Sequence, residues 1–209
     1  MRWPAHGRRR QPRLPVTSAR ARAKERTRED LLRSALELFA EQGIEGPSLD
    51  AVCERAGRTR GAFYVHFTDR EALVVAVAER ILRGYVTALV DAATVADTLD
   101  RFSELLVRAA TVEEATFEDL GTRHFRLVLE ASARFPAARE RFVAILAEAV
   151  GLLAARVEAE QGQGSMRAGE ARGIAEVLVA VLIGLLAFQE GGPERVERVR
   201  AALAGLLRG

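Results

Sequence analysis

The 209-residue chain is short of cysteine, histidine and lysine, and each shortage closes off a kind of chemistry. Cys53 is the sole cysteine, so no intrachain disulfide can form, and a reducing, cytoplasmic compartment is expected. His6, His66 and His124 lie far apart, and no Cys/His spacing of a zinc site occurs. Glycine-rich phosphate loops are missing as well. On these grounds no catalytic residue, metal or cofactor is expected. The most apolar stretch, Ile174 to Phe188, is short for a bilayer and contains Glu176, so a buried helix is expected there and no membrane partner. The N-terminus has arginines but no apolar segment behind them, which argues against a secretory signal. Lys24 is the one lysine among 31 basic residues, a bias that fits a GC-rich coding sequence.

What is present is apolar content, at 49%, ample for a packed core in one or two domains. Charge is unevenly placed. Residues 1–26 hold nine basic side chains against Glu25 alone, a local +8 within a total of +2, so the remainder carries −6. Positive charge at one end suits a chain that meets nucleic acid there. Residues 1–25 show no hydrophobic period and are expected to be a disordered basic arm. The arm reads either as a solvated tail, even one from an upstream start chosen in error, or as a source of phosphate and minor-groove contacts.

The most informative stretch is SLDAVCERAGRTRGAFYVHF, from Ser48 to Phe67. Leu49, Val52, Cys53 and Ala56 share one helical face, and Ser48 precedes them as an N-cap. The pattern breaks at Ala56-Gly57-Arg58, where glycine can take the positive φ of a tight turn, and a second helix can start at Thr59. Two short helices joined by a glycine turn outline a helix-turn-helix, whose second helix enters the major groove N-terminus first. Thr59, Arg60, Gly61 and Tyr64 are then placed to face the groove: Arg60 to read guanine, Gly61 to admit close approach, Tyr64 to touch a phosphate or a thymine methyl. Phosphate contacts fall to Ser48, His66, Arg70 and the Thr27-Arg28 start of the first helix. Packing between helices is the plain alternative for Tyr64 and His66. Phe63 and Phe67 are assigned to the core.

Upstream, a helix is expected over residues 27–42, opened by Thr27 and Asp30 with capping-box spacing and striped by Leu32, Ala35, Leu36 and Phe39. Downstream, Thr68-Asp69-Arg70-Glu71 is a T-x-x-E box opening a helix to about residue 86. From residue 97 onward no strand alternation survives, and helices are expected near 98–110, 117–134, 136–161, 168–190 and 193–208. The helix from about 173 to 188 is apolar nearly all round, which means burial on most sides. Beside it, the last helix stripes Val196, Val199, Leu203, Leu206 and Leu207 along one side, a second apolar surface that suggests subunit contact.

Taken together, AGRTRGAFYVHFTDREAL from Ala56 to Leu73 and ALELFAEQGIEGPSLDAVCERAG from Ala35 to Gly57 resemble the N-terminal domain of the TetR family of bacterial transcriptional regulators. The resemblance covers about residues 26–85 and joins many spaced positions, so it is more specific than a lone helix-turn-helix. Arg58 departs from it, standing where the family usually has an apolar residue, and reads as an extra phosphate contact or a surface side chain. The implied fold is all-α: a three-helix helix-turn-helix DNA-binding domain over residues 26–86, with the helix-turn-helix at 48–67, then a larger helical ligand-binding and dimerisation bundle over 87–209. The family's last two long helices pair with their copies as a four-helix bundle, which implies a homodimer here, with Val181, Leu185, Val199, Leu203 and Leu206 as interface candidates.

The expected partners are a double-stranded DNA operator, a second copy and a small, mainly apolar or amphipathic inducer. Phe102, Phe117, His124, Phe125, Phe142 and Met166 are candidates for the pocket wall, with ordinary core packing as the alternative for each. A dimeric repressor released by its inducer is the expected function. In the rival reading the bundle serves only dimerisation or a protein partner.

Overall fold

The computed structural model describes residues 19–90, 92–109, 117, 122–188 and 192–208. These residues are all-helical: α1 (Ala19–Gln42), α2 (Leu49–Arg55), α3 (Arg60–Tyr64), α4 (Arg70–Val90), α5 (Val95–Ala109), α6 (Thr122–Arg134), α7 (Pro136–Gly162), α8 (Ala171–Ala187) and α9 (Gly192–Leu207). No helix among them is long and apolar enough to cross a membrane.

In α1, Leu31, Leu32, Ala35, Leu36 and Phe39 are all but fully buried. They recur at helical spacing and form one side of the head's core, which Val52, Cys53, Phe63 and Phe67 complete. α1 begins at Ala19, well before the expected start, and Thr27 is no cap: its hydroxyl donates to the Ala23 carbonyl at 3.1 Å in mid-helix. The cause is the run ARARAKER ahead of Thr27, built of alanine and long straight side chains that favour helix strongly. Residues 19–25, expected in the disordered arm, are therefore the first turns of α1, and the rest of that arm lies outside the described residues.

α4 is capped by Asp69, whose Oδ1 accepts from the Ala72 N–H at 2.8 Å. The cap sits one residue past Thr68, because Thr68 turns its hydroxyl to the Asp69 carboxylate instead. Reciprocal capping occurs at α5: Asp97 N–H donates to Thr94 Oγ1 at 3.0 Å and Thr94 N–H to Asp97 Oδ2 at 3.1 Å. α4 is the spine. Leu73, Val77 and Ile81 are sealed, α1, α5, α6 and α7 all pack on it, and the division expected after residue 86 falls within it. α7 starts on Pro136 at its first turn, where the missing N–H has no partner to lose. α8 packs along α7, and α9 packs on α5.

Candidate nucleic-acid interface

The helix-turn-helix is set by two caps and one glycine. Ser48 Oγ accepts from Ala51 N–H and Thr59 Oγ1 from Ala62 N–H, each at 3.1 Å, so both short helices begin where a hydroxyl ends the chain of orphan donors. Between them Gly57 takes φ +61°, and Arg58 N–H reaches back to the Cys53 carbonyl at 2.8 Å, closing the end of α2. Phe63 then drives α3 into the core with Ala62 half-buried beside it, while Arg60, Gly61 and Tyr64 face out.

That outward set is Thr59, Arg60, Gly61, Tyr64 and Val65. Arg60 is 59% exposed in its side chain and Tyr64 is 56% exposed. Tyr64 therefore serves no helix packing beyond an edge-on contact to Phe63, centroids 5.3 Å apart. A Cβ at Gly61 would meet nothing closer than Thr59 Oγ1 at 3.8 Å. The fold itself does not demand a glycine there, and the bare backbone faces outward. Val65, equally exposed, was not anticipated, since a valine in a sequence pattern reads as core. Asp50 was also missed: its Oδ1 lies 3.0 Å from Arg60 Nε, joining the first turn of α2 to the start of α3.

Arg58 and Arg70 have partners within the chain that the sequence reading did not give them. Arg58 is half-buried, with Nη2 2.5 Å from Asp30 Oδ2, so it pins the turn to α1. Arg70 lies over the Phe39 ring at 5.8 Å and donates to the carbonyls of Ile44 and, at 3.3 Å, Pro47. Its guanidinium braces the loop between α1 and α2, which has no helical partners of its own. Thr27 is excluded from helix-terminus contacts for the reason given above. Arg28 stacks on Phe67 at 5.6 Å. His66 is half-buried, and its pKa lies below the ordinary imidazole value because of burial first, then the nearby Lys24 and Arg28 charges. Lys24, Arg28 and His66 thus form a basic cluster beside the helix-turn-helix.

The remaining candidates divide. Phe102, His124 and Phe125 are buried in α5 and α6, with Phe125 edge-on to Tyr85 of α4 at 5.7 Å. Phe117 lies under the Arg80 guanidinium at 5.3 Å, and Phe142 is half-buried on α7. Met166 lines a separate cavity of about 160 Å³ with Val95, Leu99, Ala204 and Leu207, which none of the other candidates touches. Of the interface candidates, Leu185 and Leu203 are buried within the chain and so belong to its own core. Val181 and Val199 are half-buried and Leu206 is exposed. Val177 of α8 and Phe188, the residue just past its end, neither anticipated, are 59% and 69% exposed. Val177 and Val181 lie one turn apart on the same side of α8. No group of three or more potential metal ligands occurs among the described residues.

Comparison with known proteins points the same way. The family described as "Bacterial regulatory proteins, tetR family" matches residues 31–77. The uncharacterized HTH-type transcriptional regulator TtgW of Pseudomonas putida is 33% identical over 132 residues, 55% of this chain and 92% of that protein. The HTH-type transcriptional repressor AcnR of Corynebacterium efficiens is 32% identical over 88 residues, 42% of each chain. Several other curated relatives are likewise matched over only 22% to 56% of their own length. Among solved structures, the SmeT–triclosan complex superposes with a TM-score of 0.70 at 23% identity, over 88% of this chain and 92% of that one.

Proposed function

Because the chain belongs to the TetR family and is a DNA-binding transcriptional regulator, we propose that it is a homodimeric repressor of a near-palindromic operator, released by a small apolar or amphipathic ligand. The observation that carries this reading is the outward set on α3. Arg60 and Tyr64 are exposed on a helix whose start, turn and inner face are all secured without them. In the proposed complex Thr59, Arg60, Gly61 and Tyr64 meet base edges, while Ser48, Arg28 and His66 hold phosphates. Residues 26–86 form the reading unit and 87–209 the sensing and dimerising unit. In a C2 dimer the two recognition helices would stand about 34–36 Å apart, one turn of DNA.

For the dimer, support comes from exposed Val177 on α8 with half-buried Val181 one turn on, from exposed Phe188 just past the end of that helix, and from Leu206 on α9. For the ligand, the SmeT structure is a complex with triclosan, and Phe102, His124, Phe125 and Phe142 are the candidate wall. An inducer acts by binding the form of the bundle that does not hold DNA, and coupling of that kind is reciprocal. The name of AcnR supports the sign of regulation. The second reading, a bundle for dimerisation alone, draws on the near-complete burial of Phe102 and Phe125, which is what plain core looks like.

Selection of bound sites from random DNA tests the reading. Arg60→Ala is expected to lose about 1–3 kcal/mol of operator preference. Equal affinity of wild type and variant for selected and random duplexes overturns specific recognition. Calorimetry with apolar compounds, followed by operator titration, tests release: binding that leaves operator affinity unchanged overturns the ligand part alone.

A further inference from the structure

The side chain proposed to read a base does not stand alone. Arg60 Nε lies 3.0 Å from Asp50 Oδ1, with the two side chains 59% and 69% exposed. An ion pair that open to water contributes little to stability, so the fold does not need it. Its position is the more telling observation. Asp50 is in the first turn of α2, two residues after the Ser48 cap, and the first helix of a helix-turn-helix crosses the phosphate backbone. With only seven residues α2 supplies no anion site of its own, and a carboxylate brought close to a phosphate repels it unless a cation accompanies it. Contact through Nε also leaves the terminal Nη pair of Arg60 available for the two-point geometry that guanine O6 and N7 require.

We infer that Asp50 is a specificity-determining positioning residue, which holds the Arg60 guanidinium for a guanine edge and penalises any DNA on which Arg60 must leave it. On an operator with guanine at the right step, Arg60 keeps its carboxylate and gains the base, and the long side chain has little rotamer freedom left to lose. On random sequence the nearest anion is a phosphate. Arg60 then swings to it, and Asp50 is left unaccompanied beside the backbone. The pair thus works through the weaker complex, raising its free energy while leaving the operator complex intact. This inference rests on the DNA-binding role proposed for α3.

The test uses the full chain as wild type, Asp50→Asn, Arg60→Ala and the double variant. Each is titrated with a duplex selected by the wild type and with random duplex, over a range of salt. Asp50→Asn is expected to bind random duplex more tightly, with a salt slope steeper by about one phosphate contact per protomer. Its ratio of selected to random affinity should fall about tenfold, and selection with it should show a relaxed preference at one base step. In the Arg60→Ala background the same change should raise both affinities alike and leave the ratio where Arg60→Ala put it. The exposed position makes unchanged melting curves the expected control. A selective wild type whose ratio Asp50→Asn leaves unaltered overturns this inference alone, as does an equal change of ratio with and without Arg60. A wild type that prefers no sequence overturns the recognition role of α3 and this inference with it.

Discussion

The helix-turn-helix and the bundle behind it are both made of amphipathic helices, yet they leave opposite things in water. On α3 the exposed residues include a threonine, an arginine, a glycine and a tyrosine, with Val65 as the apolar exception. On α8 and α9, among arginines and glutamates, the large apolar side chains left exposed are Val177 and Leu206, with Phe188 just past the end of α8. An exposed cationic and hydrogen-bonding surface has use for phosphate and base edges, whereas exposed apolar side chains have use for another protein surface. The difference also reaches inward. Every outward residue of α3 is placed by a local device, a cap or a glycine turn, while the bundle's exposed apolar side chains are defined only by which neighbours α7 and α5 have already covered.

Four substitutions and one titration probe that contrast. The largest effect is expected from Phe63→Ala, which empties a fully buried position of α3 and should cost about 3–5 kcal/mol in denaturant unfolding, with DNA binding lost in parallel. If binding survives such a loss, α3 is not held by its inner face. Val177→Asp should weaken a dimer by about 2 kcal/mol or more in sedimentation equilibrium while the monomer keeps its helicity. An unaltered assembly state would remove α8 from the interface. Arg70→Ala strips the Ile44 and Pro47 carbonyls of their donor and should cost about 1–3 kcal/mol of stability. Arg60→Ala, by contrast, should change stability by less than about 0.5 kcal/mol while costing about 1–3 kcal/mol of operator preference. Similar unfolding midpoints for the two arginine variants would erase the distinction between bracing and reading.

The smallest effect is expected from pH. The His66 pKa is depressed by burial and then by Lys24 and Arg28, so the neutral ring is the form the fold prefers. Its contribution to stability is complete above the ordinary imidazole value, about 6.5, and declines as pH falls below it. A phosphate contact reverses the preference, because the anion favours the protonated ring. Operator affinity should then rise as pH falls from about 7.5 to 6 while stability declines, and His66→Gln should flatten both trends. Declining stability with constant affinity would make His66 a packing residue only.

Local devices explain what could be read in advance. Ser48, Gly57 and Thr59 act within three or four residues of themselves, so the helix-turn-helix and its outward set follow from short patterns. Arg58 and Arg70 could not be placed that way. Their partners, Asp30 and the carbonyls of Ile44 and Pro47, lie 23 to 28 positions away in the chain. An arginine beside a DNA-reading helix looks the same in sequence whether it faces in or out. The early start of α1 was legible in the helix propensity of residues 19–26, but Thr27 and Asp30 mimic a capping box and masked it. Leu185 and Leu203 belong to stripes wide enough to serve two neighbours, and only the packing decides which side each serves. Asp50 became visible through its distance to Arg60 and through nothing in its own surroundings.

One consequence concerns α4. At 21 residues it measures about 31 Å, with Arg70 gripping the loop between α1 and α2 at one end and Tyr85 against Phe125 near the other. A rod of that length converts angle into distance: tilting it by about 4° about its bundle end carries Arg70 through about 2 Å. Side chains that must come within about 3 Å of a base edge do not tolerate such an error. A change in the bundle too small to alter the outline of any helix is therefore large enough, measured at α3, to separate a fitted reader from a misaligned one.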